Sequence, residues 1–538
     1  MLLDAFAERP KKRQKLTGFQ ERKKIMIQCA PIFTDHMVLQ QGKNTAVFGT
    51  GSPGETVTVS IPERKLSAST VVQPSGMWQV QLPPATAGET CTLRVNDLVF
   101  QDVVFGEVWL AGGQSNMEFM LKNAKGGAEE LKQCASSGVR YFQVPRNTFV
   151  DKKYSQDFKA AAWMLPTPET AGEWSAVAYL AAKELSEKLG VPVGIIGCNY
   201  GGSSVSCWMP ESDLQAHAAG HAYLEDYRSA AAGKTDAEMI AEYDAYVEYQ
   251  TAWTVRMEWC YQEDGNMKWD EVIRRCGENQ WPGPMGVKSP YRPAGMFHTM
   301  LKRIVPYTLR GVFYYQGEND DHRPETYSSL LTVMIARWRQ EFQDDTLPFL
   351  LVQLPMFAYE DAPENGTWSK LREGQMQVFR TVKNTGIAVA LDCGELGNIH
   401  PTEKHTVAHR LALQARKLVY GEQELAAFGP LYAGNTVSGD CMTIQFSQAE
   451  QGMVWHGEPA GFELAGADGV YYPAKAVIDG ALVHLTCEKV PVPVRARYAW
   501  VNYGPVSLYG KNGIPAAPFR TEPPVLPLLT SQCPEPSV

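Results

Sequence analysis

Five short apolar runs, separated by stretches with helical periodicity, constrain the fold of this chain more than any other feature. A buried parallel strand reads as a continuous apolar run, because helices cover both faces of its sheet. Strands that alternate with helices indicate an α/β domain with a largely parallel sheet. We predict such a domain over residues 106–424. The runs are Val108–Leu110, Val191–Gly197, Gly311–Tyr315, Pro348–Leu354 and Ile387–Leu391.

The segments around this domain show other patterns. Apolar and polar residues alternate over residues 27–105 and again over 425–522, which predicts two flanking β segments. Residues 211–280 interrupt the α/β rhythm with a long helical pattern, so we predict a helical insertion that is either plain scaffold or a lid. Residues 1–26 form a basic arm that we expect to be disordered, with a nuclear-localisation or nucleic-acid patch as the alternative. Residues 523–538 form a tail.

The composition excludes several classes of protein. Of the 538 residues, 44% are hydrophobic and 20% are charged, which excludes a disordered chain. No run of about 18 apolar residues is present, so we expect no membrane association. The net charge of −9 makes nucleic acid a poor partner. The 11 cysteines form no CxxC pair, which argues against a zinc ribbon or a dense disulfide framework.

The N-terminal residues bear on localisation. A secretory signal needs about 7–15 consecutive apolar residues, whereas the apolar start Met1–Leu3 is broken by Asp4. With the odd number of cysteines, this predicts a cytoplasmic protein. A lysosomal or secreted protein is the alternative if the natural N-terminus differs, and Asn365-Gly366-Thr367 is a glycosylation sequon.

Ser115 is the first candidate for chemistry. It follows a predicted strand and two glycines in Gly112-Gly113-Gln114-Ser115-Asn116-Met117, and it precedes a helical stretch. Such a junction lifts a hydroxyl out of the sheet and places it at a helix N-terminus, where backbone N–H groups can stabilise an oxyanion. The alternative is a serine that only caps the helix.

A serine nucleophile needs a base, and His400 is the best placed of the ten histidines. It follows the strand Ile387–Leu391 by a short loop, at a sheet edge of the kind where ligand crevices form. A surface or cap histidine is the alternative. His405 and His409 lack the glutamate of a zinc-binding HExxH helix, so we interpret both as helix-surface residues.

Two glycine-containing loops complete the constellation. Gly202 follows the second apolar run, and Gln316 and Asn319 follow the third. Each loop could present an N–H or a carboxamide to a developing negative charge, although each is also consistent with a simple turn. Because the carboxyl ends of parallel strands lie at one edge of a sheet, we expect a shared crevice.

These blocks, in this order, resemble the SGNH hydrolases. The variants GGQSNM, YGGSSVSCWMP, YYQGEND and GNIHP are similar to the sialic-acid-specific acetylesterase family. The resemblance implies an α/β fold: an SGNH-type three-layer α/β/α hydrolase domain with flanking N- and C-terminal β-sandwich segments. It also implies a serine esterase that hydrolyses O-acetyl esters of sialic acids through an acetyl-enzyme, with no metal or organic cofactor.

The resemblance assigns roles to the candidate residues. Ser115 matches the nucleophile and His400 the base. Gly202 and Asn319 match oxyanion-hole donors, and Gln316 is an alternative donor.

The acid is the least regular position of the motif. The usual SGNH acid lies three residues before the histidine, where this chain has Gly397, and Asn398 follows. Asp392 matches the acid of similar family members, so the resemblance implies a triad of Ser115, His400 and Asp392. A dyad, with a backbone carbonyl holding His400, is the alternative.

The expected partner is an acetylated sialic acid or another acetylated sugar, with neither nucleic acid nor membrane. A sialic carboxylate needs a cationic or N–H-rich site, for which Arg292, Arg323 and Arg372 are candidates. One alternative is an acetylesterase of the same fold that acts on other carbohydrates such as xylan. Another is a non-catalytic carbohydrate-binding relative.

Overall fold

The computed structural model describes residues 26–264, 267, 269–359 and 366–521. The predicted basic arm up to residue 25, the predicted tail and Asn365 of the sequon lie outside these residues. The described chain forms a three-layer α/β/α domain with β-rich segments before and after it, which confirms the predicted fold class. Among the described residues, no helix combines the length and the apolar character needed to cross a membrane.

The secondary structure is as follows. The N-terminal strands are β1 (Gln28–Cys29), β2 (Val38–Gln40), β3 (Thr45–Thr50), β4 (Thr56–Ile61), β5 (Leu66–Val71), β6 (Met77–Leu82) and β7 (Cys91–Val95). The central strands are β8 (Leu98–Gly113), β9 (Val139–Gln143), β10 (Trp163–Met164), β11 (Val193–Asn199), β12 (Gly311–Tyr315), β13 (Phe349–Gln353) and β14 (Thr385–Val389). The C-terminal strands are β15 (Leu431–Ser438), β16 (Cys441–Ser447), β17 (Met453–Trp455), β18 (Phe462–Ala465), β19 (Tyr471–Pro473), β20 (Lys475–Asp479), β21 (Leu482–Thr486), β22 (Arg495–Tyr498), β23 (Leu508–Gly510) and β24 (Phe519–Arg520). The helices are α1 (Ser115–Glu118), α2 (Gly127–Gln133), α3 (Lys152–Ala160), α4 (Pro168–Ala171), α5 (Ala176–Leu189), α6 (Glu211–Ala216), α7 (Ala218–Ala231), α8 (Asp236–Glu263), α9 (Trp269–Cys276), α10 (Gly295–Thr299), α11 (Pro324–Glu341), α12 (Thr367–Thr381) and α13 (His405–Leu418).

The central sheet has the strand order β10-β9-β11-β8-β12-β13-β14. Every neighbouring pair is parallel except β10 and β9 at one edge. The five predicted apolar runs all lie in or overlap strands of this sheet, and strands β11 to β14 are buried along their whole length. Strand β9 is absent from the sequence prediction because Arg140 and Gln143 interrupt its apolar character.

Helices cover both faces of the sheet. Along β8, Trp109 points to one face, where its indole nitrogen donates to the Tyr420 hydroxyl just after α13 at 3.0 Å. Gly112, three residues further and therefore on the opposite face, lies against Trp338 of α11. Helices α5 and α13 pack together on the first face, and α11 packs against α12 on the other. The sheet is therefore shielded from water on both sides.

The N-terminal β segment is continuous with the central sheet. Strand β8 begins at Leu98, pairs with β7 in antiparallel and β2 in parallel fashion, and then continues into the centre of the α/β sheet. The boundary that we placed at 105/106 therefore falls inside one strand. Near Gly106 the alternation of apolar and polar residues gives way to a continuous apolar run, because the same strand enters the buried core there.

Two arginines link the C-terminal β segment to the central domain through an ion pair and hydrogen bonds. Arg520 of β24 forms a bidentate pair with Glu373 of α12, with both distances 2.9 Å. Arg372, which is fully buried, donates to the carbonyls of Pro355, Val501 and Asn502. Arg372 therefore joins the two segments and does not present a cation to a ligand.

The predicted helical insertion contains α6 to α9. Helix α8 begins with the capping-box geometry that Thr235 and Glu238 indicate in the sequence, with the Thr235 N–H donating to the Glu238 carboxylate at 2.7 Å. Its second half and α9 share a small apolar cluster that is separate from the main core. The cluster consists of Trp253, Cys260, Met267, Val272 and Cys276.

Candidate active site

Ser115 lies just beyond the carboxyl end of β8, at the first position of α1. The turn before it requires glycine at position 113, where φ is +131° and an added Cβ would fall 2.0 Å from the carbonyl oxygen of Tyr315. Within Gly112–Met117, Ser115 is the one residue that is partly exposed. The turn thus delivers a reachable hydroxyl from a buried strand.

His400 meets this hydroxyl, with its Nε2 2.8 Å from the Ser115 Oγ. The histidine loop is shaped by a carboxylate: Glu395 accepts from the Asn398 amide at 2.7 Å and from the Thr402 N–H at 2.8 Å. The Asn398 side chain in turn accepts from the His400 N–H at 3.0 Å. Burial, and then the charge of nearby Lys404, lower the pKa of His400, which favours the neutral imidazole that a base requires.

Asp392 does not meet His400 in the structure. Its carboxylate forms a bidentate pair with Arg410 of α13, at 2.6 and 2.8 Å. Arg410 also donates to the carbonyl of Val389 and is almost fully buried, so it holds the aspartate against α13. In the described part of the chain no carboxylate bonds to His400. The predicted bond from Asp392 to His400 is therefore absent, and the described residues show no backbone carbonyl that accepts from the His400 ring either.

A buried polar network lies beneath the Ser115–His400 pair. Asn116 donates to the Glu318 carboxylate at 2.7 Å and to the carbonyl of Ile399 at 2.9 Å. Lys404, which has no exposed surface, donates to the Asn116 side-chain oxygen at 2.6 Å. Asn116 therefore ties the serine helix to the residue before the histidine.

The charges of this network are perturbed by burial. Burial lowers the pKa of Lys404 to about 8 and raises the pKa of Glu318. The second carboxylate oxygen of Glu318 has no hydrogen-bond partner among the described residues. A buried carboxylate oxygen without a partner is costly, so this network carries a desolvation penalty next to the serine.

The glycine loop after β11 lies directly beside Ser115. The Gly201 N–H donates to the Glu118 carboxylate at 2.6 Å, and Arg146 pairs with the other oxygen of Glu118 at 3.4 Å. Gly202 has φ of +71°, and within the described residues its N–H and that of Ser115 have no acceptor. These two N–H groups are thus available to a negatively charged oxygen.

Gln316 and Asn319, the two candidate side-chain donors in the loop after β12, have different surroundings in the structure. Gln316 is buried, and its amide nitrogen donates to Gln114, Ser203 and Asp320 at 2.6 to 3.2 Å. Asn319 is partly exposed, and its side chain makes no hydrogen bond to the described residues, while its N–H is held by Gln114 at 3.2 Å. Among the described residues, Asn319 is therefore the one of the two with an unengaged carboxamide, and Gln316 supports the loop.

Known proteins resemble this chain in sequence and in fold. The family described as carbohydrate esterase, sialic acid-specific acetylesterase matches residues 286–417. The mouse sialate O-acetylesterase is 29% identical over 443 residues, which cover 76% of each chain, and the human protein is 28% identical over 445 residues, covering 76% of this chain and 74% of its own. Over these stretches the chain is similar to the sialic-acid-specific acetylesterase family.

A solved structure extends the match to nearly the whole chain. A carbohydrate acetylesterase from Xanthomonas citri superposes with a TM-score of 0.73 at 29% identity, covering 92% of this chain and 100% of its own. The protein is accordingly an enzyme, a carboxylic ester hydrolase of the carbohydrate esterase type.

Of the three arginines predicted to bind a sialic carboxylate, Arg323 and Arg372 are engaged in other contacts. Arg323 pairs with Asp226 at 2.6 Å and lies over the Tyr223 ring. Arg292 donates to the carbonyls of Ser289 and Thr148, and no carboxylate among the described residues pairs with it. With Arg372 in the domain junction, Arg292 is the candidate that keeps an unneutralised charge.

Sequence reasoning missed Asn116, Glu318, Lys404 and Glu395 as members of the site. All four lie within or next to the motifs already singled out. The available signal was the presence of a lysine and two glutamates beside buried strand ends, where a charge needs a partner. Which of them pair is visible only in three dimensions.

Proposed function

We propose that this esterase hydrolyses O-acetyl esters of sialic acids through an acetyl-enzyme intermediate on Ser115. The observation that carries the proposal is the 2.8 Å contact between the His400 Nε2 and the Ser115 Oγ. It lies beside the N–H groups of Ser115 and Gly202, which have no acceptor among the described residues. We infer sialic acid as the substrate from the mouse and human relatives, which are both named sialate O-acetylesterase.

The first half-reaction follows from these positions. His400 takes the Ser115 proton as the Oγ attacks the acetyl carbonyl. The carbonyl oxygen becomes negatively charged and accepts hydrogen bonds from the N–H groups of Ser115 and Gly202 and from the Asn319 side chain. The tetrahedral intermediate then collapses: its bond to the sugar oxygen breaks, the imidazolium gives its proton to that oxygen, and acetyl-Ser115 remains.

The second half-reaction repeats these steps with water. His400 removes a proton from the water that attacks the acetyl ester, and the same donors hold the second oxyanion. Acetate leaves as the proton returns to Ser115. Asn116 keeps the serine and histidine loops in register throughout, through its bonds to Glu318, Lys404 and Ile399.

Acetate release from 9-O-acetyl sialic acid by the purified protein tests the proposal. We expect turnover with this substrate and a lower kcat/KM with acetylated xylan, which represents the alternative substrate class. Equal or better cleavage of acetylated xylan would reassign the substrate and keep the chemistry. Absence of acetate release from both, with no labelling by a fluorophosphonate probe, would contradict the serine mechanism itself.

A further inference from the structure

An aromatic groove begins directly beside Gly202, one of the candidate oxyanion donors. An added Cβ on Gly202 would fall 2.9 Å from the Trp281 ring and 3.1 Å from the Tyr291 ring. The preceding Gly201 would place its own Cβ 3.5 Å from the Cβ of Ser115. The glycine loop therefore forms a thin partition between the serine and the groove.

The groove is large and lined by rings. It has a volume of about 470 Å³, within the range of roughly 300–1,000 Å³ that is typical of small-molecule sites. The Trp281 and Tyr291 rings cross at 73° with centroids 5.8 Å apart, and Tyr200 meets Tyr291 at 83° and 6.2 Å. The aromatic lining consists of Tyr200, Tyr243, Tyr246, Trp281 and Tyr291.

Several contacts hold the walls of the groove in place. Gly283 has φ of +80° and lies so close to Tyr246 that any Cβ would fall 2.4 Å from that ring. The Tyr249 hydroxyl donates to the carbonyl of Glu278 at 2.6 Å. These contacts join helix α8 of the insertion to the segment that carries Trp281, so the rings are positioned before any ligand binds.

The chemistry of the lining selects the kind of ligand. Aromatic rings offer flat apolar faces, which suit the C–H face of a pyranose ring, and Gln250, Thr251 and Thr254 supply polar groups for hydroxyls at the edge. Neither lysine nor arginine is among the described lining residues, and Glu258 contributes a carboxylate. Such a surface disfavours a second anionic sugar and favours a neutral one.

We propose that this groove binds a neutral sugar that is glycosidically linked to the acetylated residue, so that the preferred substrate is a conjugated glycan and not a free monosaccharide. The inference rests on the proposed function, because the acetylated sugar itself must lie at Ser115. The helical insertion, through α8, then sets which glycan the enzyme prefers.

Matched substrates and variants test the groove. The substrates are free 9-O-acetyl sialic acid and the same sugar linked to lactose. We expect Trp281→Ala and Thr251→Trp, which fills the groove, to lower kcat/KM for the lactose conjugate about tenfold, mainly through KM, and to lower it much less for the free sugar. The control Trp259→Ala, at a residue of α8 that is 65% exposed and outside the lining, should alter neither substrate.

A binding measurement separates this inference from the proposed function. Ser115→Ala protein is titrated with the non-acetylated lactose conjugate while tryptophan fluorescence is recorded, and the response should disappear with Trp281→Ala. If the wild-type enzyme cleaves no acetylated sialic acid, the proposed function fails, and this titration still decides the groove. Equal kcat/KM for both substrates in all variants, or no fluorescence response, would overturn the inference.

Discussion

The loops at the carboxyl edge of the sheet and the helical insertion beside them are built in different ways. At the sheet edge, Gln114, Asn116 and Gln316 are buried, and each bridges at least two loops with its amide. In the insertion, the 28-residue helix α8 has three buried residues, Met239, Trp253 and Cys260. One region fixes side chains by burial and hydrogen bonds, and the other presents a half-exposed face.

The difference separates chemistry from substrate choice. Nucleophilic attack needs a base and donors held in hydrogen-bond reach, which a buried network on rigid strand ends provides. Sugar recognition by open rings tolerates exposure and variation. Variants in the two regions should therefore alter different measurements.

The largest effect is expected from Ser115→Ala. Loss of the nucleophile should lower acetate release at least ~10³-fold. The melting temperature should change little, because Ser115 is partly exposed and caps no described group with its side chain. Retention of most of the activity would show that the sheet edge is not the site of chemistry.

The next effect is expected from Lys404→Met, which removes the buried charge and keeps the length of the side chain. Without its ammonium the Glu318 carboxyl loses its cation, and we expect a loss of stability of about 3 kcal/mol in urea unfolding. Because Lys404 lowers the pKa of His400, its removal should shift the acidic limb of kcat/KM to higher pH.

The exposed Lys125 supplies the control for that experiment. Lys125→Met should move neither the unfolding midpoint nor the pH profile. An unchanged acidic limb in Lys404→Met would show that the lysine acts on stability alone.

Asp392→Asn should affect stability more than chemistry. The substitution leaves the buried Arg410 without its carboxylate, which should cost about 2 kcal/mol. We expect kcat to fall less than tenfold, because Asp392 does not contact His400, while His400→Ala should be inactive. A loss of kcat near ~10⁴-fold would instead restore the triad, since that is the scale on which a triad acid acts.

The smallest effect on activity is expected from Trp253→Ala in the insertion. The ring is buried in the separate cluster, and its indole donates to the carbonyl of Gly277 at 2.8 Å. Its removal should speed proteolysis of α8 and α9. Turnover of free 9-O-acetyl sialic acid should stay within about twofold of the wild type. A large loss there would show that the insertion also supports the chemistry.

The sequence determined the architecture and the order of the candidate loops. Parallel strands buried on both faces read as apolar runs, so β11, β12, β13, β14 and the last part of β8 can be predicted from the sequence. Because such strands end at one edge of the sheet, the meeting of Ser115 and His400 could be predicted from local patterns together with the family resemblance.

The partners of the polar side chains could be read only from the tertiary structure, because each side chain has several possible partners in the sequence. Asp392 lies before His400 in sequence but bonds to Arg410, which only the packing of α13 reveals. Gln316 and Asn319 differ by burial, and Trp281 reaches Gly202 because the segment just after the insertion folds back onto the glycine loop. Apolar periodicity is a local property of the chain, whereas ion pairing and ring contacts join residues that are distant in sequence, so local patterns cannot specify them.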